Sequence, residues 1–120
     1  MSGPILVVED DHGVSSFLQW SLEDEGYSVA LAADGEEALR SVEGGRPMLI
    51  LLDYGLPFLD GAAVSDRLRE RGFGDIPIVL MTADQRVSQK AERVSAPAAL
   101  AKPLDLDHLL RVVRDLIGQP

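Results

Sequence analysis

Apolar residues fall into two alternating patterns along this chain. Short unbroken runs, Ile5-Leu-Val-Val8, Leu49-Ile-Leu-Leu52 and Ile76-Pro-Ile-Val-Leu-Met81, are bounded by Pro, Gly or acidic residues. Runs of this length read as strands buried on both faces, the habit of a parallel sheet with helices over it. The third strand extends back to Pro47. Tyr27 to Leu31 alternates briefly and predicts a strand second in chain order, and Ala98 to Ala101 predicts a weaker one, fifth in order. Between the strands the spacing changes to that of helices. Val14, Phe17, Leu18 and Leu22 lie on one stripe that stops at Gly26, a residue suited to the left-handed turn after a helix. Asp34 to Arg40 opens a second helix with acids in its first turn, where the helix dipole favours them, and Gly44-Gly45 ends it. Asp60 caps a third helix, which carries Val64 and Leu68 and ends near Gly72. Gln85 to Val94 has only a thin stripe, Val87, Ala91 and Val94. The last helix, Asp105 to Ile117, turns Leu106, Leu109, Leu110, Val113, Leu116 and Ile117 inward. Five strands alternating with five helices through short connections predict an α/β fold with a parallel sheet covered on both faces.

Composition narrows the function. The 120 residues suffice for one domain with a real core. The absence of cysteine excludes disulfides, zinc-thiolate centres and thiol nucleophiles. Twenty acidic against eleven basic residues give a formal charge of −9, which argues against direct nucleic-acid binding, since that needs a basic face. No apolar run approaches the ~20 residues of a membrane span. Met-Ser-Gly-Pro brings no positive charge ahead of its short apolar run, so it does not read as a signal peptide. A cytoplasmic protein without membrane insertion is expected.

In a parallel sheet all the strands end on one rim, where such folds bind ligands. Glu9 and Asp10 follow the first strand, Asp53 the third, Thr82 the fourth and Lys102 the fifth. Asp53 alone would be read as a turn or cap residue, and Glu9-Asp10-Asp11 as the acidic start of a helix, which is the reading retained for Asp11. Thr82 alone would be a cap, and Lys102 alone a surface lysine. Together they place three carboxylates, a hydroxyl and an ammonium on one rim. Clustered carboxylates need a compensating cation. With oxygen ligands only, that cation is a hard divalent ion such as Mg²⁺, with Mn²⁺ as a substitute. A metal, a lysine and a hydroxyl around one further carboxylate are what phosphoryl transfer to that carboxylate requires.

Val7-Val-Glu-Asp-Asp11, Leu51-Leu-Asp-Tyr-Gly-Leu-Pro57 with Asp60-Gly61, Met81-Thr-Ala83 and Ala101-Lys-Pro103 resemble the motifs of the response-regulator receiver domain of two-component signalling. The resemblance covers essentially the whole chain as a single domain, residues 1–120, with no output domain among them. It implies a flavodoxin-like fold with five strands in the order 2-1-3-4-5. It implies Asp53 as phosphoacceptor and metal ligand, and Asp10 as a direct Mg²⁺ ligand. Glu9 would complete the acidic pair through a metal-bound water, and the backbone carbonyl of Gly55 would be a further ligand. Thr82 would hydrogen-bond the phosphoryl group. Lys102 would pair with it, held by a cis Lys102–Pro103 peptide. The partners implied are a histidine kinase or histidine phosphotransfer protein and an unknown downstream protein. Such a domain is no enzyme in its own right, catalysing only its own phosphorylation and dephosphorylation at aspartate. In this family the exposed edge of the first helix and the loop after the fifth strand receive the phosphohistidine domain. Gly13, Val14, Phe17, Trp20, Pro103 and Leu104 are the corresponding docking candidates, with core packing the other reading of Val14 and Phe17.

The chain also departs from the family pattern. An aromatic usually lies three residues before the lysine, and here that position is Ala99. Ser95-Ala96, followed by Pro97, replaces the Gly-Ala that commonly precedes the fifth strand. Gly55 and Asp84 occupy the two positions that tune access of the hydrolytic water. His12 and His108 read as surface residues rather than phosphocarriers. Two other functions compete. A phosphorylation-independent (pseudo-receiver) interaction module is motivated by Ala99 and the altered segment before Pro97. An aspartyl-nucleophile phosphatase would need a second Asp two residues after the first, where Gly55 stands.

Overall fold

The structure is a computed structural model describing residues 3–83, 87–94 and 96–120. The positions of Asp84 and Ser95 singled out above lie outside the described residues. Strands β1 (Ile5–Val8), β2 (Val29–Ala32), β3 (Leu49–Asp53), β4 (Ile78–Thr82) and β5 (Ala98–Ala101) alternate with helices α1 (His12–Asp24), α2 (Gly35–Gly44), α3 (Gly61–Glu70), α4 (Val87–Val94) and α5 (Leu106–Ile117). All the strand pairs are parallel, in the order β2-β1-β3-β4-β5. The fold is therefore the expected doubly wound one.

Strand alternation sorts the apolar runs into two cores. Leu6, Val8, Ile50, Leu52, Ile78 and Leu80 face Leu39 and Val42 of α2, Val64 and Leu68 of α3, and Val94 of α4. Ile5, Val7, Leu49, Leu51, Val79 and Met81 face Leu18 and Leu22 of α1 and Leu109 and Val113 of α5. Every residue of β1, β3 and β4 is buried, which is why their sequences show no polar alternation. Four helices begin at an Asp whose carboxylate accepts a backbone N–H of the first turn: Asp11 from Val14, Asp34 from Glu37, Asp60 from Ala63 and Asp105 from His108. Each cap contributes about 1 kcal/mol.

Three strand boundaries differ from expectation. The second strand starts at Val29, not Tyr27, because Tyr27 closes the exit of α1. Its N–H donates to the Leu22 carbonyl at 3.1 Å, and its hydroxyl donates to the Gly118 carbonyl at 2.7 Å. The third begins at Leu49 and includes Asp53; the fourth begins at Ile78 and includes Thr82. Asp53 and Thr82 are thus the last residues of their strands rather than the first of the loops. Asp53 stands beside Met81, and Thr82 beside Ala101, in the strand register.

The loop after β3 is fixed by contact between backbones. The Gly61 N–H donates to the Tyr54 carbonyl at 3.0 Å. A Cβ at Gly61 would stand 2.8 Å from the Tyr54 Cα and 3.2 Å from the Asp53 carbonyl oxygen, too close for either backbone to accommodate without moving. Gly61→Ala is expected to lower unfolding stability by about 1–3 kcal/mol. Urea denaturation checks this; a midpoint equal to wild type would show that the loop relaxes freely.

Candidate functional site

The rim gathers the groups that the strand ends promised. The Glu9, Asp10 and Asp53 carboxylates present oxygens that all lie within 4.8 Å of one another. Their surroundings differ. Glu9 is 3% exposed and Asp53 6%, whereas Asp10 is exposed to solvent. One Glu9 oxygen accepts the Asp11 N–H at 3.2 Å, and the other accepts the Lys102 ammonium at 2.8 Å. Lys102 also stands 3.5 Å from an Asp53 oxygen, to which the Gly55 N–H donates at 3.2 Å. The Lys102–Pro103 peptide is cis.

Electrostatics follows from this placement. Burial raises the Glu9 carboxyl above its ordinary value of 4.5; the Lys102 hydrogen bond lowers it in part, and the Asp53 charge adds to the rise. Burial by itself lowers the Lys102 ammonium. The hydrogen bond to Glu9 and the charges of Asp53 and Glu9 outweigh that, leaving it above the ordinary lysine value of 10.5. One ammonium thus faces two buried carboxylates, with the exposed Asp10 carboxylate beside them. An all-oxygen donor set with excess negative charge fits a hard divalent cation that keeps several waters. Glu9, Asp10 and Asp53 are the side chains placed to hold it, with Gly55 exposed at the mouth beside Asp53.

Asp53, Gly55, Thr82 and Lys102 line one cleft of about 390 Å³, together with Tyr54, Ala83 and Lys90. Thr82 is buried at its wall. Gly55 leaves this side open, since a Cβ there would meet only an Asp53 carboxylate oxygen at 3.9 Å. Tyr54 and Lys90 are the residues that sequence reasoning missed. Tyr54 lay within a recognised motif but carried no assigned role. Lys90 lay on the least patterned helix, and its approach to the cleft depends on how α4 packs.

Five docking candidates come together and one does not. Gly13, Val14, Phe17, Pro103 and Leu104 line a groove of about 440 Å³, with Asp11 and Lys102 at its site-facing end. Phe17 is 42% exposed there, while Val14 is half-buried and packs on the α1/α5 core, so it serves both of its readings. Trp20 instead faces α5 and lines a separate hollow with Ser21, Asp24, Glu25, Leu106 and Leu110. His12 and His108 are exposed. Ala99 is half-buried against the α2/α3/α4 core, the same core on which Tyr54 packs.

Comparison with known proteins agrees with this arrangement. The response regulator receiver domain profile matches residues 5–114. The response regulator MprA of Mycobacterium bovis is 44% identical over 119 residues, 98% of this chain and 51% of that protein; this chain spans about half the length of the curated relatives it matches. The receiver domain of the sensor histidine kinase PA1611 from Pseudomonas aeruginosa, solved with a magnesium ion coordinated in its active-site cleft, superposes with a TM-score of 0.88 at 34% identity, covering 99% of this chain and 100% of that one. The Vibrio cholerae chemotaxis protein CheY4 gives 0.88 at 27% identity, with 97% and 99% covered. Among the described residues no helix is long and apolar enough to cross a membrane. With the family profile matching residues 5–114 and solved receiver domains superposing over nearly the whole chain, this chain belongs to the response regulator receiver domains of two-component signalling.

Proposed function

We propose that this receiver domain accepts a phosphoryl group on Asp53 in a Mg²⁺-dependent reaction, as a cytoplasmic signalling protein. The observation that carries the reading is the convergence of Glu9, Asp10, Asp53 and Lys102 at one cleft mouth, with Thr82 in the wall. An Asp53 carboxylate oxygen attacks the donor's phosphorus as the bond from phosphorus to the leaving group breaks, the electron pair departing with that group. Bound Mg²⁺ supplies positive charge to the phosphoryl oxygens. Lys102 neutralises a further oxygen, and the Thr82 hydroxyl donates a hydrogen bond to another. Burial of Asp53 at the end of β3 and the Gly55 N–H keep the acceptor carboxylate oriented. Catalysis is confined to the domain's own phosphorylation and dephosphorylation. The intact acid, threonine and lysine set argues against a phosphorylation-independent module, and Gly55 in place of a general acid argues against a phosphatase. Incubated with Mg²⁺ and acetyl phosphate, the wild type is expected to gain one phosphoryl group by intact mass. Asp53→Asn is expected to gain none, and Asp10→Asn or chelation of the metal to abolish the gain. An unmodified wild type, or the same gain on Asp53→Asn, would remove the basis of the reading.

Lys102 is also a structural ion. Its raised pKa means that the fold stabilises the ammonium, a contribution present below 10.5 and lost as pH rises through the folded value. Glu9 has its pKa raised as well, so its charged form burdens the fold and that burden disappears on protonation in acid. Lys102→Met is therefore expected to lose about 1–3 kcal/mol at neutral pH, discounted for partial exposure. The loss should shrink as pH falls through the raised Glu9 value, above 4.5. Urea denaturation across that range checks this; a loss independent of pH would separate Lys102 from Glu9.

The donor is a histidine kinase or histidine phosphotransfer protein, which seats on the groove of Gly13, Val14, Phe17, Pro103 and Leu104 beside the cleft, and the phosphorylated domain binds a downstream protein. Phe17→Glu is expected to slow transfer from a phosphohistidine donor about tenfold, as loss of an apolar anchor does, while leaving transfer from acetyl phosphate unchanged. Equal slowing with both donors would count against docking there.

A further inference from the structure

Lys90 of α4 stands with its ammonium 4.0 Å from the centroid of the Tyr54 ring, a cation–π contact. Both residues line the cleft that holds Asp53, Thr82 and Lys102. Gly55 places no side chain beyond Asp53 on that side. We propose that Lys90 is a second phosphoryl-binding cation of this site, moving from the Tyr54 ring to the phosphoryl group on Asp53 and so coupling α4 to phosphorylation. The proposal rests on the reading of Asp53 as phosphoacceptor.

Charge balance supports it. Phosphorylation replaces the single charge of Asp53 by about −2, while Glu9 and Asp10 keep theirs. Among the described residues, a divalent ion and Lys102 together leave about one negative charge uncompensated, and Lys102 is already paired with Glu9 at 2.8 Å. Among the described residues, Lys90 is a further cation in the wall of the cleft. An ammonium gains a charge-assisted hydrogen bond at a phosphoryl oxygen, which is stronger than its contact with an aromatic face.

The rest of α4 is arranged to turn that transfer into motion. Its last turn is anchored on α3: the buried Ser65 hydroxyl donates to the Val94 carbonyl at 3.2 Å, and Arg93 pairs with Asp66 at 3.0 Å. Lys90 lies one turn before Val94, so a pull on it acts against a fixed end. Tyr54 and Ala99 pack on the same core. A ring at the end of β3 thereby occupies the α4 side of the site, where β5 offers only a methyl group.

Beryllium trifluoride, a tetrahedral mimic of a phosphoryl group on a carboxylate, tests this in the presence of Mg²⁺, read by the amide resonances of the whole chain. Lys90→Met is expected to bind it about tenfold more weakly than wild type, and to lose the shifts of the Gln89–Val94 amides that wild type shows. Lys90→Arg should restore both. Binding by Lys90→Met within about twofold of wild type, α4 shifts that persist in it, or an equal loss in Lys90→Arg would each overturn the proposal. If the wild type itself does not bind the mimic, the phosphoacceptor reading fails and this one with it; if only the Lys90 variants behave as wild type, this one fails alone.

Discussion

The ion pair between Glu9 and Lys102 is the interaction on which the rim depends. It joins the end of the first strand to the end of the last, across the ends of β3 and β4. Without it a nearly fully buried carboxylate would face Asp53 uncompensated, and one of the two would have to protonate or turn outward. With it, both acids stay in place on rigid strand ends, and the remaining excess of negative charge is what invites a divalent ion. The pair thus does two things that compete: it makes the metal-free fold tolerable, and it occupies the lysine proposed to meet the phosphoryl group. A bound cation would ease the competition by taking over part of the burden of Glu9.

Much of this was readable from residue order alone. The runs at Ile5, Leu49 and Ile76 fixed three central strands, since only residues buried on both faces dispense with polar alternation. Once those strands are parallel, their carboxyl ends share a rim, so Glu9, Asp10, Asp53, Thr82 and Lys102 follow by topology without any knowledge of contacts. Boundaries failed where a tertiary partner outbid the local pattern. Tyr27 looks like the start of a strand, but its hydroxyl reaches Gly118, some ninety residues away in sequence, and no local periodicity carries that information. Trp20 is set apart from the groove for a related reason. It shares the helix edge of Phe17, yet α5 stands beside it, and the groove next to the site ends before reaching it.

Lys90 and Tyr54 mark a different limit. Hydrophobic periodicity reports which face of a helix is buried, and α4 has little to report. What matters there is which of its polar residues overhangs the cleft, and that is set by the anchoring of Val94 and Arg93 on α3. A polar helix is therefore where sequence reading is weakest and where a site can acquire residues unnoticed.

Ala99 gains a different meaning from this arrangement. Taken alone, a methyl group where the family usually carries a ring reads as a missing part, and it is one motive for the phosphorylation-independent reading. Around it, however, the α4 side of the site is occupied from the other direction, by Tyr54 at the end of β3 with a lysine stacked on its ring. An aromatic in place of Ala99 would have to be accommodated against the core on which Ala99 packs, and close-packed interiors do not hold an extra ring without displacement. Whatever signal leaves Asp53 toward α4 has an aromatic in its path, reached through the residue next to the acceptor rather than through the neighbouring strand.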